Sequence, residues 1–355
     1  MADSPSPRRP TLDPASGAVR NAVRAGLAEA DAVGAGPNAA EAGTARSGSG
    51  AVPGAIVAVS GGADSMALLH AAAFLHRRGE VCARAVTVDH GLQSRSAEVA
   101  RRVVAAAESW GVPAEIRTVT ITAGQEGLEA AARDARYTAL DDARIAADAE
   151  WILTAHTRSD QAETVLLGLM RGSGTRSLAG MSPRTGRVLR PLLGLDREQT
   201  ESSCSAQGIE VWNDPMNDDD SFARVRTRRL LAGLETDLGQ PITANLARTA
   251  DLCRADADFL DDRAKEAGAR FLGVASVPVD SFTALDDAVL GRVVRDWVLS
   301  LGVSAQNLGA ARVAELMTLI RSRNRGRLSL PGDTEVVIDR GLVVFQAAAK
   351  ARTDI

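Results

Sequence analysis

The segment SGGADS, which begins at Ser60, combines backbone and side-chain groups that could bind a phosphate. Gly61 and Gly62 lack Cβ atoms, so their backbone N–H groups can approach an anion closely. Ser60 and Ser65 add hydroxyl donors, whereas Asp64 is suited to hold Mg²⁺, which then bridges phosphate oxygens. Because the chain is rich in glycine and alanine, a flexible linker is the alternative interpretation of these residues.

Two further segments carry clustered charges. In TAHTRSDQAETVLLGLM, Asp160 and Glu163 are three residues apart near a predicted helix start, so both carboxylates share one face. Such a pair can bind an ammonium group or a metal ion, and the alternative is that both acids only complement the helix dipole. In NDPMNDDDSFARVRTRRLL, Arg224 and Arg228 are one helical turn apart and could bind the same anion. A solvated basic helix face is the alternative there.

The elements around SGGADS decide between a linker and a phosphate loop. From residue 55 onward, β-prone runs alternate with helix-length segments, and the loop lies between strand 55–59 and helix 65–78. This alternation predicts an α/β, Rossmann-like parallel sheet with helices on both faces. Ligands of such folds bind at the carboxyl ends of the strands, which is where the loop lies, so we interpret it as phosphate-binding. The other predicted strands and helices cover residues 83–90, 95–110, 114–121, 126–148, 151–156 and 159–171.

The two ends of the chain predict different structure. Residues 1–17 are rich in Pro and Ser and are expected to be disordered, a short helix is predicted in GAVRNAVRAGLAEADAV, and residues 34–54 have linker composition. After about residue 228 the strand pattern fades, and ITANLARTADLCRADADFLDDRAKEA has helical periodicity. The stretch GRLSLPGDTEVVIDRGLVVF contains β-prone runs around turn residues, so we expect a small terminal sheet after a mainly helical region.

Composition excludes several classes of protein. The 355 residues carry a net charge of −4, so a nucleic-acid partner would have to meet local arginine clusters. The two lysines, Lys265 and Lys350, lie too late in the chain for a G-x-x-x-x-G-K loop, and the cysteines form no C-x-x-C pair. No signal peptide or membrane-spanning segment is recognised, so we expect a cytoplasmic protein with no membrane partner.

SGGADS resembles the pyrophosphate-binding loop (PP-loop) of the N-type ATP pyrophosphatases, which cleave ATP between its α and β phosphates and adenylate an oxygen of the substrate. Within that superfamily, a series of segments in this order is similar to the tRNA(Ile)-lysidine synthetases, over roughly residues 55–260. The segments are SGGADS, VDHGLQSRS, EAAARDARY, HTRSDQAET, LMRGSG, RPLLGLDRE, WNDPMN and RVRTRRLLAGLE.

The resemblance implies a ligase that replaces the C2 oxygen of the wobble cytidine in a CAU-anticodon tRNA(Ile) with the ε-amino nitrogen of free L-lysine. The reaction would pass through an adenylated C2 oxygen and release AMP and pyrophosphate, with ATP and Mg²⁺ as cofactors. Residues 55–228 would form the PP-loop catalytic domain and residues 229–355 a helical tRNA-binding domain, after a tail, helix and linker in residues 1–54. The oligomeric state is left open, a homodimer included.

The same resemblance implies roles for individual residues. Asp64 would bind Mg²⁺. Asp160 and Glu163 would receive the amino groups of lysine, with Asn217 nearby.

Two arginines, Arg136 and Arg228, would steady a phosphate or the developing oxyanion. The residues that the resemblance assigns to ATP binding are Ser60, Gly61, Gly62, Ala63, Asp64, Ser65, Asp89, His90 and Gly172.

Three alternative functions stay open. A thiolating tRNA enzyme of the same superfamily is the nearest, although those enzymes commonly need paired cysteines. A glutamine-dependent amidating synthetase would need an N-terminal nucleophile, and the first cysteine is Cys82. The third is a non-enzymatic RNA-binding protein, which the intact acidic residues argue against.

The arginines of RSRNRGR, residues 321–327, are candidate contacts to the tRNA backbone, with a charged surface loop as the alternative.

Overall fold

The computed structural model describes residues 13–34, 52–91, 95–121, 128–213 and 223–348. The chain divides into two compact units, Met1–Asp251 and Leu252–Ile355. The predicted domain boundary at residues 228/229 stays a prediction.

A six-stranded sheet forms the centre of the first unit. Its strands are β1 (Gly54–Ala58), β2 (Cys82–Asp89), β3 (Ala114–Thr118), β4 (Trp151–Leu153), β5 (Arg184–Thr185) and β6 (Val188–Leu189). The order across the sheet is β3-β2-β1-β4-β6-β5, and all neighbouring pairs are parallel except β5 with β6. The predicted Rossmann-like fold is therefore confirmed, with the carboxyl ends of five parallel strands at one edge.

Helices cover both faces of this sheet. They are α1 (Pro14–Gly34), α2 (Ala63–Arg77), α3 (Ser96–Ser109), α4 (Leu128–Ala146), α5 (Arg158–Met170), α6 (Thr175–Leu178), α7 (Arg197–Ala206) and α8 (Ala223–Leu238). Helices α1, α2, α3 and α7 contribute to one hydrophobic core, in which Leu69 is fully buried. Helix α4 packs on the opposite face, where its Leu140 meets Ile56 and Ile152 of the sheet. Successive residues of β1 point to different cores, as expected for a strand buried on both sides.

Helix α1 is part of the first unit's core. It begins at Pro14, so residues 14–17, which we expected to be disordered, are helical instead. The reason is local: Asp13 caps the helix, because its Oδ2 accepts a hydrogen bond of 2.9 Å from the backbone N–H of Ser16. One apolar stripe then anchors the helix against α2 and α7. The residues of that stripe are Val19, Val23, Leu27 and Ala30.

The second unit begins within helix α9 (Ile242–Gly268) and combines helices with a four-stranded antiparallel sheet. Its other elements are β7 (Ser276–Pro278), α10 (Val279–Thr283), α11 (Asp287–Ser300), α12 (Ala310–Ser322), β8 (Gly326–Leu330), β9 (Thr334–Asp339) and β10 (Leu342–Ala347). Trp297 and Phe282 are fully buried in its core. The helical region and the small terminal sheet are as predicted. Among the helices that the structure describes, none is long and apolar enough to cross a membrane.

Candidate active site

The SGGADS segment forms a closed turn between β1 and α2. Gly61 has a φ of +91°, and a Cβ atom added there would lie 2.8 Å from Cγ1 of Val99, so the turn requires glycine. The Ser65 hydroxyl donates to the Gly62 carbonyl at 2.9 Å and accepts from the backbone N–H of Ser60 at 3.1 Å. Gly62 is the N-cap residue of α2 and has no side chain to bind the first-turn N–H groups. Those N–H groups and the helix dipole suit an anion.

Asp64, in the first turn of α2, is held by two side chains of α7. The Thr200 hydroxyl donates to Asp64 Oδ1, and Arg197 Nη2 lies 3.5 Å from Asp64 Oδ2. Burial raises the pKa of Asp64, while the Thr200 hydrogen bond and the Arg197 charge lower it. Sequence reasoning missed both α7 residues, because Thr200 is 136 positions from Asp64 and no local pattern links them.

The two predicted acidic residues lie on the first turns of α5. Asp160 Oδ2 accepts hydrogen bonds from the backbone N–H and the hydroxyl of Thr157, at 2.8 and 3.0 Å, and so caps the helix. The Glu163 side chain is only 3% exposed, and its Oε1 accepts a hydrogen bond of 2.7 Å from Arg228 Nε. Burial raises the pKa of Glu163, and Arg228 lowers it. The charge of Asp160 raises the pKa of both Glu163 and Asp64.

Cationic and imidazole groups lie at the same edge of the sheet. His90 follows β2 and His156 follows β4, and burial lowers the pKa of both histidines. The charge of Arg136, on α4, lowers both pKa values further, whereas that of Asp160 raises the pKa of His156. The charges of Asp160 and Arg136 therefore both act on the His156 imidazole. His156 lies within the HTRSDQAET motif, but the motif alone gave no reason to assign it a role.

The remaining predicted residues have different surroundings. Asp89 ends β2, and its Oδ1 accepts a hydrogen bond of 2.9 Å from the Gly91 N–H. Gly172, with a φ of +67°, terminates α5 through a hydrogen bond of 3.0 Å from its N–H to the Leu169 carbonyl. It lies at the far end of α5 from Asp160, roughly 18 Å along the helix axis. Its assignment to ATP binding stays a prediction, and Asn217 lies outside the described residues.

Asp64 is the residue that would hold a magnesium ion shared with a phosphate. Within the ranges that the structure describes, no group of three or more His, Cys, Asp or Glu residues could hold a metal ion by itself. Mg²⁺ does not require such a group, since it keeps waters and takes one or two carboxylates together with substrate phosphates. Asp64 supplies such a carboxylate, directly beside the phosphate-binding turn.

The fold and the loop together define a PP-loop domain, and the sequence family described as PP-loop domain matches residues 49–234. The tRNA(Ile)-lysidine synthase of Leifsonia xyli is 45% identical over 303 residues, which is 82% of this chain and 90% of that protein. The tRNA(Ile)-lysidine synthase of Streptomyces coelicolor is 47% identical over 286 residues, 78% of this chain and 80% of that protein. The chain belongs to the tRNA(Ile)-lysidine synthase family, which confirms the resemblance stated from its motifs.

One solved structure also aligns with the chain. The U34-tRNA thiolase NcsA from Methanococcus maripaludis, with its 4Fe–4S cluster, has a TM-score of 0.48 and 15% sequence identity to this chain. The alignment covers 57% of this chain and 72% of the thiolase.

Proposed function

We propose that this protein ligates free lysine to C2 of the wobble cytidine of CAU-anticodon tRNA(Ile), with ATP cleaved to AMP and pyrophosphate. The observation that carries the proposal is that Asp64 and Asp160 lie in the first turns of α2 and α5, the helices that follow the neighbouring parallel strands β1 and β4. The group proposed to hold Mg²⁺ and the group proposed to receive the amine therefore lie at the same edge of the sheet. The names of the relatives, which match most of their length, support the same reaction.

The turn at Ser60–Ser65 serves the nucleotide in this reaction. The C2 oxygen of cytidine is a poor leaving group, and its adenylation makes it a good one while pyrophosphate departs. Backbone N–H groups of the turn and of the first turn of α2 would bind the departing pyrophosphate. Mg²⁺ bound at Asp64 would supply neutralisation of the phosphate charge. The rest of the acceleration comes from positioning and from fixed charges.

Asp160 and Glu163 would receive the amino groups of lysine. Asp160 is the better placed of the two, because the capping of α5 uses only its Oδ2 atom. Glu163 is already paired with Arg228, so an ammonium group would have to share or replace that guanidinium. On this arrangement Arg228 would hold Glu163 ionised until lysine arrives, and Arg136 would take the role of steadying the phosphate.

The RSRNRGR segment, proposed to contact tRNA, has fewer unpaired positive charges than its sequence indicates. Three of its arginines pair with acidic side chains inside the second unit, which reduces their attraction for an RNA backbone. The pairs are Arg321–Asp287 at 2.7 Å, Arg323–Asp280 at 2.9 Å and Arg325–Asp339 at 2.5 Å. The role of the second unit in tRNA binding stays a proposal.

Two of the three cysteines do not suit the thiolating alternative. Cys204 is buried and donates to the Ala63 carbonyl at 3.3 Å, and burial raises its pKa to about 12. A thiol with that pKa is a poor nucleophile. Cys82 pairs in register with Gly54 at the start of β1, so it lies at the opposite end of the parallel strands from the turn.

The test is a lysine-transfer assay with purified protein, ATP, Mg²⁺, radiolabelled lysine and a tRNA(Ile) transcript with the CAU anticodon. We expect label in the RNA and release of AMP. A transcript with guanosine at the wobble position is the matched RNA control, and Asp64→Asn is the matched protein control. Folded protein that leaves the CAU transcript unlabelled contradicts the proposal, and sulfur incorporation from a sulfide donor would favour the thiolating alternative.

A further inference from the structure

Two buried guanidinium nitrogen atoms near Tyr137 have no hydrogen-bond partner among the described residues. They are Nε of Arg136 and Nε of Arg190. Buried polar atoms in proteins are nearly always hydrogen-bonded, so unpaired ones point to a partner from outside the chain. We call the group formed by these two arginines, Tyr137 and the neighbouring Arg133 the Tyr137 cluster.

Three guanidinium groups surround the tyrosine of this cluster. The Cζ atoms of Arg133 and Arg136 lie 5.0 and 5.3 Å from the centre of the Tyr137 ring. Arg190, which is only 7% exposed, acts on Tyr137 from the end of β6. Burial raises the pKa of Tyr137, but the three positive charges outweigh burial and lower it overall.

The positive charges of the Tyr137 cluster have no counterion within the described ranges. None of its three guanidinium groups forms an ion pair with a described carboxylate, although buried arginines are normally paired. Arg190 is also held rigidly, since its Nη1 donates to the Ser182 carbonyl at 2.8 Å and to Thr185 Oγ1 at 2.9 Å. Guanidinium groups held in fixed positions beside a phenol hydroxyl present several N–H and O–H donors, which suit the oxygen atoms of a phosphate group.

We propose that the Tyr137 cluster is a phosphate-binding subsite, separate from the SGGADS turn. The identity of its ligand rests on the proposed function, because both ATP and tRNA bring phosphate groups to the carboxyl edge of the sheet. The turn already provides donors for the departing pyrophosphate. The cluster therefore binds a different phosphoryl group, either a backbone phosphodiester of the tRNA or the α-phosphate of ATP.

Two variants remove donors while leaving Arg190 and its structural hydrogen bonds in place. Arg133→Gln removes one charge, and Tyr137→Phe removes only the phenol oxygen. Dissociation constants are measured for each variant with an anticodon stem–loop RNA and, separately, with ATP, in the absence of lysine so that no transfer occurs. Arg102→Gln is the matched control, because it removes the same charge from an exposed position on α3.

We expect each variant to weaken binding of one ligand by about 5- to 10-fold, and Arg102→Gln to leave both unchanged. If the ligand is the RNA backbone, Arg133→Gln should also reduce the slope of log affinity against log salt by about 0.7. Weaker ATP binding alone would identify the nucleotide phosphate. Wild-type affinity for both ligands in both variants would overturn the subsite. Wild-type protein that transfers no lysine to the CAU transcript, while these variants still bind one ligand more weakly, would refute the proposed function and leave the subsite standing.

A measurement without mutation covers the case in which a variant does not fold. Tyr137 is the only tyrosine of the chain, so protein grown with 3-fluorotyrosine gives a single ¹⁹F resonance from the cluster. We expect saturating RNA or ATP to shift that resonance. A resonance that is unmoved by either ligand would also overturn the proposal.

Discussion

Thr200→Val tests whether a buried hydroxyl on α7 sets the charge of Asp64. Thr200 is completely buried, and its hydroxyl donates to Asp64 Oδ1. Valine has nearly the same shape but no donor, so the substitution leaves the Asp64 carboxylate without this hydrogen bond. Because that bond lowers the pKa of Asp64 against the effect of burial, its loss raises the pKa further.

The size of the effect follows from the charge on the acceptor. A hydrogen bond to a charged group contributes about 1.5–3 kcal/mol, and about 1.4 kcal/mol corresponds to one pH unit in a titration. The proposed reaction needs ionised Asp64, so the acid limb of the pH profile of kcat/KM for pyrophosphate release should move upward by about one to two pH units. A coupled pyrophosphate assay across the acid limb measures this shift directly.

Two control variants separate the hydrogen bond from the fold. Thr200→Ser keeps the hydroxyl and should retain the wild-type acid limb. Thr236→Val removes an exposed threonine hydroxyl that donates to the Ala232 carbonyl on α8, and it should change neither the limb nor kcat. An unshifted acid limb in folded Thr200→Val protein would refute the argument that Thr200 controls the charge of Asp64.

Three further predictions concern the turn, a buried histidine and α1. Gly61→Ala places a Cβ atom against Val99 at a positive φ, so the free energy of unfolding should fall by about 1–3 kcal/mol. The rate of pyrophosphate release should also decrease. An unchanged urea unfolding curve would contradict this prediction and show that the turn relaxes around the added atom. Burial lowers the pKa of His70 to about 4 from 6.5, so its contribution to stability is present above pH 6.5 and is lost as the pH falls toward 4. His70→Gln should therefore flatten the pH dependence of unfolding in that window by up to about 3 kcal/mol, and equal slopes in both proteins would contradict this. Val23→Ala removes buried methyl groups between α1 and the core and should cost about 1–2 kcal/mol in urea unfolding, whereas no cost would mean that α1 is not anchored there.

Local sequence was sufficient to predict most of the first unit. The strand–turn–helix around Gly61 and the alternating strands and helices that follow it depend on the period of the hydrophobic residues, the length of each segment and the conformational freedom of glycine. These properties can be read from residues that are neighbours in the sequence. The helix before the loop was also predicted from sequence, but its predicted start at Gly17 lies three residues after the observed start at Pro14. The difference arises because Asp13 was not recognised as the capping residue. The order of the motifs was enough to identify the family before any geometry was known.

Long-range pairing was decided only by the tertiary structure. Arg228 and Glu163 were assigned separate ligands from sequence, yet they pair with each other across 65 positions because α5 and α8 pack together. Asp64 and Thr200 meet only because α2 packs against α7. Burial and distance determine which charges are neutralised and which await a ligand, and both depend on how helices pack rather than on residue type. The sequence by itself therefore determined the chemistry of the turn and the family, whereas packing decided how Asp64 and Glu163 are held and why the guanidinium groups around Tyr137 have no carboxylate partner within the described part of the chain.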